Sequence, residues 1–172
     1  MAQINSTVGD LKSNEEKILY AFARARKAGA GLVTLPELSI TGYPPEDLLL
    51  KKDFVTANLE VLKRLGTQTR GLCAVIGFVD RDSSGRLYNA AAIYSDTKRL
   101  GIYRKTQLPN TGVFDEKRYF AQGTKNLTFS LGKIKIGVTI CEDIWQEEAL
   151  VYRKDYPGTV QLLINISASP YN

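Results

Sequence analysis

The sequence predicts a mixed-sheet α/β layered domain, and three observations carry that prediction. Amphipathic helical periodicity alternates with β-branched strand patterns in the front half of the chain. Paired apolar runs around Asp82-Ser83-Ser84-Gly85 and around Gly132 mark hairpins in the middle, so parallel and antiparallel pairing are both expected. No linker, repeat or low-complexity tract divides the 172 residues, and 44% hydrophobic content suffices for one core.

Each element follows from local chemistry. Ala2 to Ile4 reads as the end of a strand. Ser13-Asn14-Glu15-Glu16 fits a capping box, so a helix is expected from about Asn14 to Ala28, with Ile18, Leu19, Phe22 and Ala25 on one face. Gly29 and Gly31 stop it. Leu32 to Leu35 is a short buried strand ended by Pro36, with Glu37 directly past its end. Thr41-Gly42-Tyr43-Pro44-Pro45 is a turn cluster, and Pro45 suits a first helical position ahead of Glu46 and Asp47. A second helix covers Phe54 to Leu65, and Leu72 to Val79 is a strand containing Cys73. Leu87 to Tyr94, Leu100 to Tyr103, Leu127 to Leu131, Ile134 to Ile140 and Val160 to Ile166 complete the strands. Phe114 to Phe120 is irregular or a short helix, and Glu142 or Asp143 begins another short helix.

Composition excludes several classes of function. The apolar runs are too short to cross a bilayer and the amino terminus lacks a signal-peptide pattern, so no membrane association is expected. Two cysteines, Cys73 and Cys141, make no disulfide framework, which points to a cytoplasmic protein. The net charge of +5 is spread over scattered basic residues without an aromatic ladder, so no nucleic acid is expected. There is no histidine, which removes Cys-His and Ser-His-Asp catalysis and mixed cysteine–histidine zinc sites; no metal is expected.

A nucleophilic cysteine in such a chain needs another base. Cys141, Glu37 and Lys105 each lie at or just past the end of a predicted strand, and strand ends can converge at one sheet edge. A neighbouring cation lowers a thiol's pKa, which Lys105 can supply along with a hydrogen bond to an oxyanion. Glu37 can take the thiol proton and return it to a leaving amine, given a partly dry pocket from Leu35, Pro36 and Tyr43. Each residue also has a plainer reading: Cys141 as a buried structural thiol, Glu37 as a helix-start or surface carboxylate, Lys105 as a solvated charge.

Three segments carry a resemblance. Leu35-Pro36-Glu37-Leu38-Ser39-Ile40-Thr41-Gly42-Tyr43-Pro44, Tyr103-Arg104-Lys105-Thr106-Gln107-Leu108-Pro109 and Gly137-Val138-Thr139-Ile140-Cys141-Glu142-Asp143-Ile144-Trp145 are similar, in order, to the glutamate, lysine and cysteine motifs of the nitrilase superfamily of carbon-nitrogen hydrolases. The segments 2–10, 44–49 and 108–120 further resemble the glutaminase (glutamine amidotransferase) domain of glutamine-dependent NAD synthetases. The resemblance implies a four-layer αββα sandwich. That fold is incomplete at the C-terminal end, so residues 1–172 correspond to the front portion of the domain with the synthetase domain absent.

It also implies roles. Glu37 is the proton acceptor, Lys105 the charge stabiliser, Cys141 the nucleophile and Glu116 an auxiliary glutamate positioning Lys105. The Glu142 backbone N–H completes an oxyanion hole while its side chain faces glutamine. Ser169 recognises the amino-acid end of the substrate. Trp145 lines the pocket or belongs to the core. Thr111 occupies a substrate-contact position where the family usually has tyrosine. The implied reaction hydrolyses the glutamine side-chain amide through a glutamyl thioester and supplies ammonia to an ATP-dependent NAD synthetase domain or partner. No cofactor is needed for that step, with ATP and magnesium confined to the synthetase domain, and a homo-oligomer is expected. Two other readings stay open: a stand-alone amidase or carbamoylase of the same superfamily, and a non-catalytic interaction domain.

Overall fold

In a computed structural model, residues 1–109, 115–145 and 160–168 are described. Helix α1 spans Leu11–Lys27, strand β1 Leu32–Thr34, helix α2 Lys52–Thr67 and strands β2, β3 and β4 Cys73–Arg81, Leu87–Ser95 and Lys98–Arg104. The short helix α3, Glu116–Tyr119, precedes strands β5, β6 and β7 at Leu127–Leu131, Ile134–Ile140 and Leu162–Ile166. Single 3-10 turns occupy Glu46–Leu50 and Cys141–Ile144. Among the described residues, no helix is long and apolar enough to cross a membrane.

Two sheets form, in the orders β1-β2-β3-β4 and β5-β6-β7. The pairs β1–β2 and β6–β7 are parallel and the others antiparallel, which is the mixed pairing the sequence predicts. Strand alternation sorts the side chains into layers. Ala74, Ile76 and Phe78 of β2, with Ala90, Ala92 and Tyr94 of β3, pack under Ile18, Ala21 and Phe22 of α1 and Val61, Leu62 and Leu65 of α2. The opposite parity, Cys73, Val75, Ala91, Ile93 and Tyr103, packs against Phe129, Ile136, Val138, Ile140, Ile164 and Ile166 of the second sheet. The described residues therefore supply helix, sheet and sheet, three of the four expected layers. Each large apolar side chain buried in them contributes roughly 1.5–3 kcal/mol.

Local chemistry moves some boundaries. Helix α1 starts at Leu11 because the Asp10 carboxylate accepts the Ser13 N–H at 3.0 Å. Asp10, not Ser13, is thus the N-cap, and aspartate caps as well as serine does. Residues 2–4 make no strand; the Ala2 N–H donates to the Thr34 carbonyl at 2.9 Å without a continuing ladder. Pro45 caps a 3-10 turn instead of opening an α-helix.

Two close approaches bring the catalytic candidates to one edge of the sandwich. The segment after β1 crosses β2 at Gly77, where the Leu35 N–H donates to the Val75 carbonyl, and the Ser39 hydroxyl and Ile40 N–H both donate to the Gly77 carbonyl. A Cβ at residue 77 would sit 2.6 Å from the Leu38 nitrogen and also strike the Pro36 carbonyl. Gly123 does the same under Arg104, and its N–H donates to the Lys105 carbonyl at 2.8 Å. Backbone cannot yield as a side-chain tip can, so Gly77→Ala is expected to lift the Glu37 segment off the sheet. The variant should lose about 2–3 kcal/mol of stability, as overpacked cores do, together with most activity. A thermal melt and turnover assay like those of the parent would contradict this.

Candidate active site

Cys141, Lys105 and Glu37 arrive from different directions. Cys141 is the residue after β6 and opens a 3-10 turn, with φ at 48°. A left-handed backbone at a non-glycine residue is strained, and such strain collects at functional positions. Lys105 continues the inward parity of Tyr103 past the end of β4, and its N–H donates to the Asn89 carbonyl at 2.8 Å. Glu37 lies in the segment crossing Gly77, and Asn14, on the buried face of α1, fixes that segment by donating to the Ile40 carbonyl at 2.9 Å.

The charged groups meet in a dry cluster. Glu37 and Lys105 are 2% and 1% exposed, and Glu116 is also buried. The Lys105 ammonium donates to Glu37 Oε1 at 2.8 Å and to Glu116 Oε1 at 2.9 Å. Two of its three protons are thereby committed, and the third is left to donate elsewhere. The Tyr43 hydroxyl donates to Glu116 Oε1 at 3.0 Å. Asn89 Nδ2 donates to Glu37 Oε1 at 2.7 Å and more distantly, at 3.4 Å, to Glu116 Oε2. The Ala168 N–H, just past β7, donates to Glu37 Oε2 at 3.0 Å. Because Ile166 of β7 pairs with Ile140 beside Cys141, this bond ties Glu37 to the exit of the cysteine strand.

Burial alone would lower the Lys105 pKa, but Glu37 and Glu116 outweigh it and hold the ammonium above the usual lysine value. Burial pushes the Glu116 carboxyl upward, opposed by Lys105. Burial and then Glu116 raise the Tyr43 phenol, and Glu37 and Cys141 add to the effect, so Tyr43 stays a neutral donor and feels charge on the thiol. Two carboxylates and one ammonium leave the cluster formally at −1. Such a group is an expensive thing to bury for stability alone, which makes it a candidate functional site. Cys73 shares none of this: burial between the sheets pushes its thiol up to about 11.

Asp143 holds the cysteine turn to the lysine loop. It is buried, and its Oδ1 accepts from the Thr106 N–H, the Thr106 hydroxyl and the Gln107 N–H at 2.9, 2.8 and 2.8 Å. Its Oδ2 accepts from the Tyr103 hydroxyl and the Ile140 N–H, both at 2.8 Å. Five donors from two strand ends thus fix the separation of residues 105 and 141. Glu142 lies half-buried in the same turn, and Trp145, at its end, is 54% exposed and so not a core residue. A cleft of about 220 Å³ opens against Tyr43 and Glu116, between Pro45, Asp47, Tyr119 and Phe120. Thr111 and Ser169 lie outside the described residues. Among the described residues no cluster of three or more histidine, cysteine, aspartate or glutamate side chains is placed to hold a metal.

Sequence reasoning missed Asn89 and Asp143 and took Tyr43 only as an apolar wall. The signal for Asn89 was available, since a lone amide in the run Tyr88-Asn89-Ala90-Ala91-Ala92-Ile93 is a buried polar group in need of partners.

The chain is similar to known proteins. The carbon-nitrogen hydrolase family profile matches residues 1–171. The glutamine-dependent NAD(+) synthetase of Thermotoga maritima is 44% identical over 174 residues, covering 100% of this chain and 30% of that protein. Its counterpart from Acinetobacter baylyi is 37% identical over 171 residues, covering 99% and 31%. The chain thus spans about a third of the length of the curated relatives it matches. The solved glutamine-dependent NAD+ synthetase of Acinetobacter baumannii, in complex with ADP, superposes with a TM-score of 0.89 at 36% identity, over 100% of this chain and 32% of that one. An amidase from Nesterenkonia sp. shares the fold, with a TM-score of 0.81 at 22% identity, over 96% of this chain and 62% of that one. The nitrilase-type fold read from the three motifs is borne out, and the chain belongs to the carbon-nitrogen hydrolase family.

Proposed function

We propose that the chain is the glutaminase part of a glutamine-dependent NAD synthetase, with Cys141, Glu37 and Lys105 as its catalytic residues. The observation that carries this reading is the buried Glu37–Lys105–Glu116 cluster at the exit of the cysteine strand, in a chain without histidine. In this scheme Glu37 takes the Cys141 proton, and the thiolate attacks the side-chain carbonyl carbon of glutamine. The third Lys105 proton and the Glu142 N–H stabilise the oxyanion of the tetrahedral intermediate. Collapse breaks the C–N bond, Glu37 returns its proton to the leaving nitrogen, and ammonia departs from a glutamyl thioester. Water, deprotonated by Glu37, then cleaves the thioester to glutamate and the thiol. Glu116 holds Lys105, Trp145 borders the substrate, and Thr111 and Ser169 are substrate contacts carried over from the motifs.

The NAD synthetase relatives, at 44% and 37% identity, support glutamine as the substrate and a synthetase domain or partner, which uses ATP and magnesium, as the recipient of ammonia. The test is ammonia release by the intact protein across a panel of glutamine, asparagine, simple amides and N-carbamoyl amino acids. Glutamine is expected to be preferred, and iodoacetamide should label Cys141 ahead of Cys73, whose thiol burial pushes up to about 11. Preference for a simple amide would move the substrate assignment; equal, slow labelling of both thiols would remove the nucleophile.

A further inference from the structure

We infer that Asn89 is a positioning residue that selects Oε2 of Glu37 as the proton-accepting oxygen; the inference rests on the proposed role of Glu37. Asn89 lies in β3 with the inward parity of Ala91 and Ile93 and is 1% exposed. Its amide nitrogen sits 2.7 Å from Glu37 Oε1, the same oxygen that takes Lys105 at 2.8 Å. Two donors fill the two lone pairs of that oxygen. Oε2 accepts the Ala168 N–H at 3.0 Å and retains acceptor capacity for a thiol or water proton.

The amide orientation follows from chemistry. Turning it over would aim a carbonyl oxygen at two acceptor-only carboxylates, so the NH2 faces them. The consequence is visible on the other side, where Asn89 Oδ1 has no hydrogen-bond partner among the described residues. An asparagine kept only for packing would not leave a buried acceptor orphaned beside a run of three alanines. The contact is also uneven, at 2.7 Å to Glu37 against 3.4 Å to Glu116. The amide is therefore committed chiefly to Glu37, and its contact with Glu116 is at the limit of a hydrogen bond. The other titratable groups at this carboxylate pair are Lys105, whose ammonium donates to both carboxylates, and Tyr43, whose hydroxyl donates to Glu116 and which feels the charge of Glu37 and Cys141.

The test uses the intact protein with Asn89→Ala, Asn89→Asp and Glu37→Gln. Two profiles against pH are read: kcat/KM for glutamine, and the iodoacetamide rate at Cys141 with Cys73 as internal control. Removing the amide donor should cost about tenfold in kcat with little change in KM. It should move the acid limb of both profiles up by about one pH unit, because a carboxylate losing a hydrogen bond to its charged form keeps its proton longer. The isosteric Asn89→Asp, which sets a third carboxyl against the pair, should move both limbs further. Unmoved limbs in either folded variant, with Glu37→Gln still inactive, would overturn the role of Asn89 and leave that of Glu37 standing. A Glu37→Gln protein as active as the parent would overturn both. If neither Asn89 variant folds, the residue is structural and the inference fails.

Discussion

Cys141→Ala is expected to abolish glutamine hydrolysis while leaving the fold intact. The loss should be at least about four orders of magnitude, since in the proposed scheme the sulfur forms the covalent bond and the remaining groups act only through it. The fold should tolerate the change for two reasons. Cys141 has φ at 48°, and alanine keeps the same Cβ, so the backbone strain is neither added nor relieved. Asp143, not the thiol, anchors the turn through its five accepted hydrogen bonds. Only the sulfur's packing against the inter-sheet core is lost. About 1 kcal/mol is a fair cost, or a shift of roughly 2–4 °C in Tm for a chain of this size. Residual turnover in a preparation free of contaminating glutaminase would remove Cys141 from the chemistry. Cys141→Gly, by contrast, should melt no lower than the alanine variant, because glycine relaxes the left-handed backbone. Glu37→Gln should slow thioester formation and thioester hydrolysis together, and single-turnover kinetics separates the two steps.

The layers were legible in the sequence because apolar alternation is a local signal. The runs at 73–81, 87–95 and 134–140 are rich in apolar and β-branched residues, and their inward and outward parities assign both packed faces. The three catalytic candidates were legible for a related reason, each being a reactive residue placed just beyond such a run. The groups that hold them were not. Asn89 is 52 residues from Glu37, Asp143 is 37 from Thr106, and Tyr43 is 73 from Glu116. Periodicity carries no information about which buried polar groups find each other at that separation. The Gly77 crossing was likewise invisible, since its reason is the backbone of residues 36–38 lying on top of it. The misplaced N-cap has a smaller cause: Asp10 and Ser13 are both good caps one turn apart, and the turn at Thr7–Asp10 decides between them.

Lys105→Met should damage stability and catalysis together, and pH separates the two. Methionine fills similar volume but removes the only cation in contact with Glu37 and Glu116 among the described residues. Breaking a buried ion pair from one side costs about 3–5 kcal/mol, which at this chain length is roughly 10 °C in Tm. The cost should depend on pH in a defined direction. Burial already raises the Glu116 carboxyl and Lys105 opposes the rise, so without the ammonium the pair retains a proton to higher pH. Between the ordinary carboxylate range and that raised value, the folded variant binds more protons than the unfolded chain. Its stability therefore falls as pH rises through this window and recovers as pH drops, when a proton stands in for the lost charge. The Tm gap to the parent should narrow from about pH 8 to about pH 5.5. Catalysis should not recover with it, because the proposed oxyanion donor is gone and that loss is worth about two to three orders of magnitude in kcat. The double variant Lys105→Met/Glu116→Gln should regain much of the stability, since one of the two stranded carboxylates is neutralised, and regain no activity. A Tm gap that ignores pH would show that the two carboxylates are solvated in the folded protein. A double variant that restored turnover would show that the ammonium serves only to balance Glu116.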